Sequence, residues 1–151
     1  MTKIKGLNKV LKKLEKFGDE AKVLIEDELL ETATEIRTQA RFSAPVNKIV
    51  GMGGDLRQSI IVEKETDLSY KIVAGVKYAP YVEFGTGTKV NLEYLVKSGM
   101  PKDYAMQFKG KGIKQVNINP QPYLFPAFIN GKIHFISNLK KGLKYLTNKY
   151  G

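Results

Sequence analysis

The chain has no cysteine and only one histidine among its 151 residues. Without cysteine there is no disulfide framework, no thiolate zinc site and no thiol nucleophile, which fits a reducing compartment. One histidine cannot build a histidine-rich metal site or a cysteine–histidine pair. His134 stands between Ile133 and the pair Phe135-Ile136, and reads as a packed or surface residue. Long apolar runs are also missing, so no transmembrane helix is expected. The opening MTKIKGLNKVLKKLEKF is basic, but it lacks the apolar stretch and small-residue cleavage site of a signal peptide. These absences predict a soluble intracellular protein.

What is present is lysine. The formal charge is +10, with 42% hydrophobic and 26% charged residues, an ordinary balance for one globular domain of this length. Such a domain buries about 68–70% of its unfolded surface and needs no covalent staple. The charge is uneven. The first 17 residues hold six lysines against one glutamate, and the last 21 hold five lysines and no acid. Residues 18–42 carry seven acids against three bases. Basic ends around an acidic segment point to a polyanion or an acidic protein face, or else to solvated lysine surfaces.

Ile4, Leu7, Val10, Leu11, Leu14 and Phe17 recur at helical spacing. Gly18-Asp19 predicts an interruption, with Asp19 as the N-cap of a second helix. That helix carries Leu24, Ile25, Leu29, Ala33, Ile36 and Ala40 on one stripe and ends near Phe42, before Ala44-Pro45. A lysine-rich amphipathic helix can lie on a membrane, but packing on the rest of the domain is the preferred reading. Residues 45–55 read as loop. Residues 56–64 and 70–76 read as the two strands of a hairpin. Residues 86–119 show poor periodicity and recurrent glycine, and predict a long flexible loop. From Leu124 onward the apolar spacing predicts a C-terminal helix, weakened by Gly131 and Gly142.

Several chemistries can be tested against these residues. Neither GTGTK nor GMGGD has the context of a phosphate-binding loop, and both read as turns. Glu83 could act as a general base if burial raised its pKa, but no spacing joins it to Asp55, Glu93 or Asp103 as a second carboxylate. Ser43 and Ser59 have no evident base. The lysines, with Tyr78, Tyr81, Tyr94 and Tyr104, could line a groove for a nucleic-acid backbone. No sequence-reading motif accompanies them. Two rival classes follow: a non-specific basic nucleic-acid-binding protein, and a small hydrolase or nuclease using Glu83 and Asp55.

Three segments in order carry a resemblance: GGDLRQSI (53–60), VKYAPYVEFGTGT (76–88) and NPQPYLFPAF (119–128). Together they resemble the small neck or tail-completion proteins of long-tailed double-stranded-DNA bacteriophages, typified by the gene-ten product of a lambda-like coliphage. The matching positions are Gly54, Leu56, Arg57, Ser59 and Ile60; then Tyr78, Ala79, Tyr81, Val82, Glu83, Phe84, Gly85 and Thr86; then Pro122, Tyr123, Pro126 and Ala127. Tyr123 stands where phenylalanine is commoner. The resemblance implies an α+β fold, with a small antiparallel sheet packed against a long N-terminal helix and a C-terminal helix. It implies one head–tail joining domain over 1–151: a helical region (1–44), the hairpin and YAPYVEFGT motif (55–85), a flexible loop (86–119), and a turn and helix (120–151).

The same resemblance implies a non-enzymatic virion protein that needs no cofactor or metal and has no membrane partner. It would form a homo-oligomeric ring at the head–tail interface after assembly in the bacterial cytoplasm. Connector or head-closure proteins would lie on one side, and tail-terminator or tail-tube proteins on the other. Genomic DNA would pass in transient contact, and Lys102, Lys109, Lys111 and Lys114 are the candidate DNA-facing residues. Within the YAPYVEFGT motif, Tyr78, Tyr81 and Phe84 are expected to anchor the chain on the sheet, and Pro80 to open a short helix. Gly85 is expected to adopt a backbone angle that side chains resist. Glu83 is expected to be an ion-pairing or capping carboxylate, most readily paired with Arg57 or a neighbouring subunit's lysine.

Overall fold

Two long helices set the frame. The computed structural model describes residues 6–46, 54–97, 99–109 and 117–151. Helix α1 spans Leu7–Ser43 and helix α6 spans Leu124–Tyr150. At 1.5 Å per residue they are about 55 and 40 Å long. They run antiparallel: Gly131 of α6 faces Ile36 of α1, Gly142 faces Leu24, and Tyr150 donates to Glu20 at 2.5 Å. Tyr150 and Lys149 together hold the Glu20 carboxyl below its ordinary range. Small residues make the close approach possible, because Ala33 and Ala40 of α1 and Ala127 and Gly131 of α6 are all buried.

The expected break at Gly18-Asp19 does not occur, and α1 runs through both residues. An exposed glycine costs a helix only about 1 kcal/mol relative to alanine. Here the helix is pinned just beyond it by Phe17, edge-on to Tyr150 at 6.2 Å, and by Glu20. That anchorage outweighs the local preference.

Between the long helices lie a helical turn α2 (Asp55–Ser59) and the hairpin β1 (Ile60–Thr66) and β2 (Ser69–Ala74). The strands pair antiparallel, with Ile60 opposite Ala74 and Val62 opposite Ile72, and an irregularity between Lys64 and Thr66. The α+β expectation holds, with a two-stranded sheet. The first strand begins at Ile60, however, and not at Leu56. Leu56 and Ile60 are both buried while Gln58 is exposed, a spacing of four that only a helical turn satisfies. Two arginines weld this turn to the end of α1. Arg57 donates to the carbonyls of Ala44 (2.7 Å) and Phe42 (3.3 Å), and Arg41 donates to that of Ile60 (2.9 Å).

Beyond the hairpin come α3 (Ala79–Phe84), a single 3-10 turn at Gly87–Lys89, α4 (Leu92–Lys97) and α5 (Lys102–Lys109). Half of the expected flexible loop is therefore helical. Asn91 caps α4 by accepting from the Tyr94 amide at 3.0 Å, and Gly99, at φ 95°, ends it. Val90, Leu95, Ala105 and Phe108 form a small core of their own, roofed by Phe84, Leu92 and Met100. The KGKGIK segment, with Lys111 and Lys114, lies outside the described residues apart from Lys109 at its start. The main core gathers Ile36, Ala40, Ala44, Leu56, Ile60, Ala79, Tyr123 and Ala127.

Candidate functional site: a carboxylate joint between three motifs

The three segments that stand apart in sequence meet in this main core. Leu56 and Ile60 come from the first, Ala79 from the second, and Tyr123 and Ala127 from the third. Glu83 completes the meeting. It is only 4% exposed and sits on the last turn of α3, one residue before the chain turns away. Its Oε2 accepts from the backbone amides of Tyr123 (2.8 Å) and Leu124 (2.9 Å), and its Oε1 accepts from that of Phe125 (2.9 Å).

These are the orphan donors at the start of α6, and the next residue, Pro126, has no N–H to satisfy. One carboxylate thus takes up every amide that the N-cap and first three positions offer. Its negative charge also lies at the positive end of the helix dipole. The expected capping role is what the structure has, but the expected partner is not. Arg57 is committed to the carbonyls of Ala44 and Phe42, and Glu83 bonds backbone amides. With both oxygens occupied and the group buried, Glu83 is not poised to take a proton from a substrate. Ser59 is likewise bound, donating to the Leu56 carbonyl at 2.8 Å.

The neighbours of Glu83 hold the joint in register. The Gln121 amide donates to the Val82 carbonyl at 2.8 Å, and the Thr86 amide donates to that of Ile118 at 3.1 Å. The Thr86 hydroxyl in turn accepts from the Ile118 amide at 2.9 Å. Gly85 has φ 74°, and a Cβ there would lie 2.6 Å from the Ile118 carbonyl oxygen, so both conformation and space require glycine. Pro80 lies in the first turn of α3, as expected. Tyr123 is 2% exposed, and its hydroxyl reaches the Ala79 carbonyl at 3.4 Å. Burial, and then the Glu83 charge, push its phenol well above the usual range.

The aromatic residues are placed differently from expectation. Tyr81 and Phe84 lean on Phe108 of α5, with ring centroids at 6.1 and 5.0 Å, and not on the sheet. Tyr78 is half exposed. Val82 packs against the main core, and Gly54, at φ 106°, precedes α2. Pro122 is exposed beside the joint. Lys102 and Lys109 sit exposed at opposite ends of α5. His134 is on the surface with its Nδ1 2.8 Å from Glu35.

A groove of about 490 Å³ runs between the residues after α1 and the joint, lined by Val46, Leu56, Val82 and Gln121 with Asp55 and Tyr78. Among the described residues, no three His, Asp or Glu are grouped to hold a metal ion, and no helix is long and apolar enough to cross a membrane.

No curated protein and no solved structure matches the chain. A family model described as "Bacteriophage HK97-gp10, putative tail-component" matches residues 8–85, just over half the sequence, from the first turn of α1 to the glycine after α3. The first motif and the second as far as Gly85 lie within that span, and the third lies beyond it, joined to it by Glu83. The chain belongs to the HK97-gp10-like family of bacteriophage tail components.

Proposed function

We propose that the protein is a structural subunit of the head–tail joint of a tailed phage or prophage, a neck or tail-completion component assembled as a ring on the DNA path. Membership of a phage tail-component family supports a virion protein. The observation that carries the finer reading is the Glu83 joint. The most distinctive carboxylate in the chain is buried in joining α3 to α6, so Glu83 ties the motifs into one subunit and is itself not free for chemistry.

In this reading the residues from Gly54 to Ile60, Tyr78 to Thr86 and Pro122 to Ala127 shape the surfaces offered to connector and tail-tube proteins. Lys102 and Lys109 on α5, with Lys111 and Lys114 after it, face the passing DNA. The runner-up is a non-specific nucleic-acid-binding protein, favoured by the charge of +10.

Electron microscopy of lysates from a phage lacking this gene separates the readings. DNA-filled heads beside unattached tails are expected. Tails of uncontrolled length would move the protein to tail termination, and normal infectious virions would contradict a structural role. In the same assay, changing all four lysines to glutamate should impair DNA retention or passage, and full infectivity would remove them from the DNA path.

A further inference from the structure

The start of α1 runs past the end of α6 with no described residue packed against it. Every residue from Gly6 to Lys16 is exposed, whereas Phe17 and Glu20 are covered by Tyr150. The overhang is nonetheless amphipathic, with Leu7, Val10, Leu11 and Leu14 in one stripe and four lysines around the rest. Each of the four apolar side chains is at least half exposed. An apolar stripe on a surface helix normally faces a core, so one left in water over three turns calls for a partner.

Immediately after the overhang lies a shape that fits it. Between α1 and α6 a trough of about 420 Å³ opens over Leu24 and Gly142, walled by Val23 and Tyr145 and rimmed on the α1 side by Asp19 and Asp27. The missing side chain at Gly142 creates the depth, since a Cβ there would lie 2.6 Å from Leu24. The trough runs from Asp19 to Asp27 on α1, eight residue steps or about 12 Å, against about 15 Å for the overhang.

We propose that the overhang of one copy seats in the trough of the next copy of this chain. Apolar stripe meets apolar trough. On the helix, Lys13 and Glu15 fall on opposite edges of the stripe. One of the two possible orientations sets Lys13 toward the Asp19 and Asp27 rim and Glu15 toward Lys141, beside Gly142 on α6. That pattern selects a direction as well as a partner. Because both patches lie on one unbroken helix, a chain cannot fill its own trough. Each copy therefore offers one overhang and one trough, a head-to-tail contact that continues until a ring closes or a filament grows. The inference deepens the ring-subunit reading and rests on it for closure.

The cysteine-free sequence makes a thiol trap clean. Full-length Leu11→Cys and Val23→Cys proteins, mixed and oxidised, should give a mixed disulfide dimer. It should form about tenfold faster than with Ser137→Cys, an exposed α6 control, in place of Val23→Cys, because docking holds the two thiols together. The double variant on one chain should give a ladder of multimers. Three results would overturn the contact: a mixed dimer no faster than the control, Leu11→Cys pairing with itself as fast as with Val23→Cys, or the double variant closing within one chain. If the trap fails while rings containing this protein are seen in virions, the contact is wrong and the ring reading stands. A ladder from a protein absent from virions would mean the reverse.

Discussion

Replacing Glu83 with alanine should lower the stability of the protein by about 4 kcal/mol, a large share of the roughly 5–15 kcal/mol that a domain has in total. The reason is geometric. Three backbone amides at the head of α6, one buried and two partly buried, lose a charged acceptor at once. Hydrogen bonds to a charged group are worth about 1.5–3 kcal/mol each, and stranded donors add their own desolvation cost, although the losses are not fully additive. For a chain of this size the melting temperature should fall by about 10 °C. Glu83→Gln should lose roughly half as much, since its amide oxygen still accepts while its NH2 group faces a donor and the charge at the helix terminus is gone. Thermal melts of both variants decide the matter. If each melts within about 2 °C of the parent, Glu83 is not the joint described here.

Gly131→Val should be comparably damaging, at about 3 kcal/mol, because its methyl groups would enter the space filled by Ile36 in the α1–α6 contact. Gly131→Ala should also destabilise, despite the better helix propensity of alanine. The same change at Gly18 should do the opposite. A Cβ there meets no atom within 4 Å, so Gly18→Ala gains up to about 1 kcal/mol of helix propensity with no clash. Opposite signs at two glycines of two helices would show that the helix–helix contact, and not local propensity, decides at position 131. Denaturant unfolding measures both, and equal signs would contradict the packing.

Those two glycines also show what could be read in the chain and what could not. The apolar spacing located both long helices, because a stripe repeated over many turns outweighs single exceptions. Local chemistry alone misjudged Gly18, read as a break, and Gly131, read as a weakness. Each is decided by what stands opposite, or by nothing standing opposite. The α4 and α5 helices were missed because six and eight residues are too short for a periodic signal. Asn91, Gly99 and Pro101 marked their ends and could have found them.

The candidate site was half legible. The motifs drew attention to Glu83 and to Gly85, and the positive φ at Gly85 was expected. The bond from Glu83 to Tyr123 spans 40 residues and leaves no local trace in the sequence. One clue existed at the far end: α6 opens after NPQPY with no serine, threonine or aspartate at its cap position, so its amides had to be met from elsewhere.

Cryo-electron microscopy of the neck in intact virions tests the proposed place of this tail component as a subunit of the head–tail joint. A ring of antiparallel α1–α6 hairpins between connector and tail tube, encircling the DNA, is the predicted result. Density for this chain confined to the far tip of the tail, or virions that contain none of it, would contradict the account.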